Sequence, residues 1–188
     1  NLTRTQIIDT IDTLRNYECW DPLKSWLRKL IQTQPNSFEF EIELARATWD
    51  HRHSVRDLAK EVGAIVESHN LSFAEYELRV KRRILRDKDW ANQAALLENI
   101  FDRFKAQEQK IKALEKTALI YEKKWLNEEK LYKAYSNLLK KNANNVKALK
   151  YFKVLAIQMQ DWKTGIGYLH RLLRAVNGPT EKIRIAQE

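Results

Sequence analysis

The stretch Asn144-Asn145-Val146-Lys147-Ala148-Leu149-Lys150-Tyr151-Phe152-Lys153-Val154-Leu155-Ala156, followed by Asp161-Trp162, Gly165, Leu169 and Leu172, decides the fold. Leu149, Phe152 and Ala156 recur at steps of three and four, which places them on one face of a helix. Asp161-Trp162 then interrupts the pattern, and Ile166, Leu169, Leu172 and Leu173 resume it on a second helix. The asparagines before Val146 and the Asn177-Gly178-Pro179 run after the second helix are loop residues, because Asn and Gly tolerate left-handed backbone and Pro cannot continue a helix. The stretch therefore reads as helix, turn, helix.

Working outward, the same unit recurs. Cys19-Trp20, Asp89-Trp90 and Asp161-Trp162 place tryptophans 70 and 72 residues apart (90 − 20 and 162 − 90), each about twice 35. Ser54-Val55 and Leu126-Asn127 stand at the half-steps. Each point precedes an apolar helical set: Leu23, Leu27, Leu30 and Ile31; Leu58, Val62, Ile65 and Val66; Ala94, Leu97, Ile100 and Phe101; Leu131, Tyr135, Leu138 and Leu139. A helix precedes each, with Ile7, Ile11 and Leu14, then Ile42, Ala45 and Trp49, then Tyr76, Val80 and Ile84, then Leu114, Ala118 and Tyr121 on its apolar face. Thr3-x-x-Gln6 and Ser72-x-x-Glu75 have capping-box spacing, and Ser54 caps toward Asp57. Further breaks fall at Gln34-Pro35-Asn36-Ser37 and Ser68-His69-Asn70. Trp20, Trp90 and Trp162 are expected to pack between neighbouring helices, with Trp162 largely buried.

This arrangement resembles the tetratricopeptide repeat, a helix–turn–helix unit of about 34 residues. The last unit carries the resemblance best, through its loop asparagines, Asp161-Trp162 at the turn and the small Gly165 in the second helix; Gln34-Pro35-Asn36 matches the family's closing Pro-Asn. Units drawn at 4–38, 39–73, 74–110, 111–145 and 146–179 cover nearly the whole chain, with the start of a further or capping helix after them. The resemblance implies an all-α protein, a right-handed α-solenoid of about five repeats forming one domain over 1–188. Lys81 and Lys153 stand where the family has a small residue in the first helix, and Leu23, Leu58, Gln93 and Leu131 where it has one in the second. The chain opens Asn1-Leu2-Thr3 without an initiator Met and stops within a helical pattern at Glu188, which predicts a piece of a longer protein.

Composition agrees with helices. Among 188 residues there are 4 Gly and 3 Pro, too few turn formers for an all-β chain, and 31% charged residues suit amphipathic surfaces. No run approaches the roughly 18 apolar residues of a membrane span, and the amino end has no secretion-signal pattern. The single cysteine, Cys19, is expected to be a buried, inert thiol. A lone cysteine fits the cytosol and leaves the periplasm open. The net charge of +9 is uneven: residues 1–73 hold 9 Lys and Arg against 11 Asp and Glu (−2), and residues 74–188 hold 25 against 14 (+11).

Catalytic patterns are missing. His51-x-His53 falls at a turn without nearby cysteine, too few ligands for a stable zinc site. His-Glu-x-x-His, Cys-x-x-Cys and glycine-rich phosphate loops do not occur, and Gly165-x-Gly167 lies inside a helical pattern. Glu128-Glu129 read as first-turn residues favoured by the helix dipole. No Ser/His/acid set is defensible, and neither a cofactor, a metal nor a small-molecule substrate is implied.

The expected function is a non-enzymatic interaction scaffold. In the resembling family the concave face, lined by the first helix of each unit, holds a peptide or helix of a partner. Arg79, Arg82, Arg86, Lys112, Lys123, Lys147 and Lys150 face away from the apolar sets of the later first helices, which predicts an acidic partner segment, with Leu119 and Val154 as apolar groove contacts. The family's constellation for clamping chaperone tails is not found. The alternative partner is RNA or another nucleic acid, drawn by the basic later half. A third option is a helical accessory domain of an enzyme whose catalysis lies elsewhere.

Overall fold

Thr3 starts the first helix with a complete capping box. Its hydroxyl accepts the Gln6 N–H, and the Gln6 side chain accepts the Thr3 N–H at 2.8 Å. Ser72 and Glu75 repeat that exchange, and the Ser54 hydroxyl accepts the Asp57 N–H at 3.3 Å. Each cap satisfies helix-start amides that would otherwise lack an acceptor.

The computed structural model describes residues 3–34 and 37–187, with the side chain of Arg4 left aside. Pro35 and Asn36, read from the sequence as a loop, lie outside the described residues. The fold is all-α, with no strand among the described residues. In order come α1 (Arg4–Asn16), α2 (Trp20–Thr33), α3 (Phe38–Arg52) and α4 (Val55–Ser68). The next helical run holds α5 (Phe73–Glu75), a π-helical segment (Tyr76–Lys81) and α6 (Arg82–Ile84). Then come α7 (Trp90–Ile100), with a 3₁₀ turn at Phe101–Arg103, α8 (Gln107–Lys123), α9 (Glu128–Lys141), α10 (Val146–Gln158), α11 (Trp162–Ala175) and α12 (Pro179–Gln187). Trp20, Trp90 and Trp162 each open a helix, as the spacing predicts.

The chain divides into two compact units, Asn1–Ala113 and Leu114–Glu188, with the division inside α8. In the first unit, α1 packs on α2, α2 on α3 and α3 on α4, and α4 also packs on α7. Its core joins Ile7 and Ile11 of α1 to Leu23 and Leu27 of α2 and to Leu44 and Ala47 of α3. In the second unit α10 packs on α9 and α11, and α12 on α11. There Leu149, Leu172, Val176 and Ile185 form the buried cluster, flanked by Leu139, Tyr168 and Leu169. Most of the larger residues singled out in the sequence at the helix-pair contacts are buried, and Leu131 is half-buried. Leu23, Leu58 and Gln93 are buried, as are Lys81 and Lys153, and Lys81 Nζ lies 3.8 Å from Glu77. In the π segment, the adjacent Val80 and Lys81 are both buried.

Two expectations need correction. Trp162 is 61% exposed, not buried. Its counterpart Trp20 stacks against His51 near the end of α3, with ring centroids 6.3 Å apart, whereas Trp162 borders an open cleft with Ile157, Ile185 and Ala186. Cys19 is half-buried, its Sγ 3.6 Å from the Tyr17 carbonyl oxygen. Left-handed backbone falls on Glu18, His53, Asn70 and Gln160 and on no glycine. Glu18, His53 and Gln160 each stand two residues before a second helix, so the turn recurs without the residue that would mark it in sequence.

Candidate partner-binding groove

Two helices build the groove. On α8, Glu115, Leu119, Glu122 and Lys123 fall at steps that share one face; on α10, Lys147, Lys150, Tyr151 and Val154 do the same. In the second unit these eight residues and Tyr135 of α9 line one groove of about 530 Å³. Leu119 is 42% and Val154 47% exposed, so both offer apolar surface to a visitor. Tyr135 and Tyr151 stack in the groove with ring centroids 4.7 Å apart.

Its charges are partly spent internally. Asn145 Nδ2 donates to Glu115 Oε1 at 2.8 Å, and Lys147 Nζ lies 3.9 Å from the other Glu115 oxygen. The Tyr135 hydroxyl donates to Glu122 Oε2 at 3.5 Å. Lys150 Nζ is 3.6 Å from Glu181 of α12. Lys123 makes no ion pair among the described residues. Exposed pairs of this kind contribute up to about 1 kcal/mol, so Lys147 and Lys150 can exchange their carboxylates for a partner's at small cost. Burial, and then the Glu122 carboxylate, push the Tyr135 phenol up to about 12. Burial also raises Tyr151, followed by Glu128 and Tyr132. Both phenols therefore keep their protons near neutrality and act as donors and apolar floor.

Five of the nine residues expected from sequence thus meet in one place: Leu119, Lys123, Lys147, Lys150 and Val154. The other four belong to the first unit. Arg82 and Arg86 line a different cleft. Arg79 lays its guanidinium over the Phe38 ring, 4.2 Å from the centroid. Lys112 Nζ pairs with Glu108 at 2.6 Å. Sequence reading missed Tyr135 and Tyr151 as groove residues because their spacing equally fits a core; it missed Glu115 and Glu122, whose three- and four-residue steps from Leu119 were the available signal.

The histidines at the first turn go separate ways. His51 Nδ1 lies 2.8 Å from Lys24 Nζ, whereas His53 meets the Trp49 ring edge-on at 5.4 Å. Among the described residues no group of three or more His, Cys, Asp or Glu could hold a metal ion. No helix among them is long and apolar enough to cross a membrane. No protein-family model matches the chain, and neither a curated protein nor a solved structure matches it.

Proposed function

We propose that the chain is a non-enzymatic interaction scaffold, with its helix pairs stacked as tetratricopeptide-like repeats of a right-handed α-solenoid, and that the second-unit groove receives an acidic segment of a partner protein. The supporting observation is the convergence of Leu119 and Val154 with Lys123, Lys147 and Lys150 around one groove. Leu119 and Val154 supply apolar contact at its centre, and the lysines select the sign of the partner. Reversing Lys123, Lys147 and Lys150 to Glu tests this reading. Partner capture and its salt dependence are expected to fall while helicity is unchanged; capture that survives at low salt would remove the groove from the reading.

A second reading has its own observation. Residues 130–180 carry ten Lys and Arg against one acid, Asp161, a run of charge that could follow phosphates. Titrating RNA at rising salt separates the two, since a phosphate-tracking surface loses affinity steeply with salt whatever the sequence bound.

A further inference from the structure

In the first unit, the end of α3, the short α6 and the turn leading to α7 surround a cleft of about 740 Å³. Its cations are Arg46, Arg82, Arg83, Arg86 and Lys88. Of the two acids that line it, Asp50 is paired with a cation and Asp89 meets only a neutral amide. Asp50 lies 3.8 Å from Arg46, and both Asp89 oxygens accept from Asn92 Nδ2, at 2.9 and 3.0 Å. Arg83 is held by Glu39 and Glu43. Arg82, Arg86 and Lys88 have no ion pair among the described residues. Three exposed cations, Arg82, Arg86 and Lys88, therefore share the cleft with one carboxylate that has no cationic partner among the described residues, Asp89, which leaves an excess of two positive charges.

The setting favours a bound anion in two ways. Buried Trp49, Ile84 and Leu85 line the cleft, and apolar surroundings strengthen a charged hydrogen bond. The turn that carries Arg86 is fixed, because Gln93, 1% exposed, donates its amide to the carbonyls of Arg86 and Asp87.

We propose that this cleft binds a phosphate monoester dianion. A carboxylate would balance one of the two excess charges. A phosphate monoester carries about −1.5 to −2 charge and three acceptor oxygens, which suit two guanidinium forks and an ammonium together. The cations line one bounded cleft, which favours a terminal phosphate over the extended phosphodiester backbone of a nucleic acid. The phosphate's carrier is either a phosphorylated side chain in a protein segment or a small phosphorylated compound; the site reads the same group in both.

Calorimetric titration of the intact chain with free phosphoserine, a phosphoserine peptide, the same peptide unphosphorylated, and a single-stranded RNA tests this. Saturable binding of phosphoserine or the phosphopeptide is expected, weakened at least about tenfold by Arg82→Ala with Arg86→Ala, partly restored by Arg82→Lys with Arg86→Lys, and unaffected by Lys163→Ala. Equal affinity for free phosphoserine and its peptide would assign a small ligand; tighter peptide binding would assign a protein segment. The proposal is overturned if neither phosphate probe saturates, if the unphosphorylated peptide binds equally, or if the RNA alone binds. It also fails if the double alanine variant, shown by its thermal melt to be folded, binds like the parent.

Discussion

Gln93 Nε2 donates to the Arg86 carbonyl at 2.7 Å and to the Asp87 carbonyl at 3.1 Å, so one buried amide from α7 holds the turn that leads into that helix. Gln93→Leu keeps the volume and strands two carbonyls. A stability loss of about 1–3 kcal/mol is expected in urea denaturation; a loss under about 0.5 kcal/mol would show that water satisfies the turn as well as Gln93 does.

Trp162 and Leu172 lie on the same helix with opposite fates, one exposed and one fully buried. Leu172→Ala is expected to cost about 2–5 kcal/mol as a core truncation. Trp162→Ala is expected to stay within about 0.5 kcal/mol, as surface changes do. Equal costs would mean that Trp162 is covered in solution.

Gln160 holds a left-handed backbone at φ 60°, where a Cβ is unfavourable. Its N–H donates to the Ile157 carbonyl and the Asp161 N–H to the Ala156 carbonyl, so the backbone is committed to that shape. Gln160→Gly is therefore expected to raise stability by up to about 1 kcal/mol, and Gln160→Val to lower it. A thermal melt of the two variants checks the signs, and a destabilising glycine would contradict the assignment.

Tyr135 provides a pH test. Its phenol is raised to about 12 in the folded chain against about 10 when unfolded, so between these values the unfolded chain releases a proton that the folded chain keeps. Stability contributed by this group is present below pH 10 and is lost as pH rises toward 12. Ultraviolet titration should show a phenolate component near pH 12 that Tyr135→Phe removes. A component of the same size in the variant would place the high-pH group elsewhere.

Much of the helical order was legible in sequence because it depends on local signals. Periodicity placed the paired helices, and Thr3, Ser54 and Ser72 act as the caps their spacing announces. The left-handed turns were hidden because Glu18, His53 and Gln160 adopt a shape usually marked by glycine or asparagine. Exposure of Trp162 was hidden for another reason: it depends on which side chains of other helices cover the ring, and position alone equates it with Trp20. At the groove, the lysines of α10 and the apolar pair Leu119 and Val154 could be read as exposed helix positions. Arg82 and Arg86 could not be separated from them without the structure, since charge and spacing are alike. The Tyr135–Tyr151 stack joins residues sixteen apart across a turn, which no helical period records.

Selection of peptides from a random library on the intact chain, followed by photocrosslinking of the winners, tests the scaffold reading most directly. The account expects enriched peptides with Asp and Glu around apolar anchors, crosslinking at Leu119 or Val154, and loss of binding when Lys123, Lys147 and Lys150 become Glu. Peptides without acidic bias, or crosslinks confined to residues outside the groove, would contradict it.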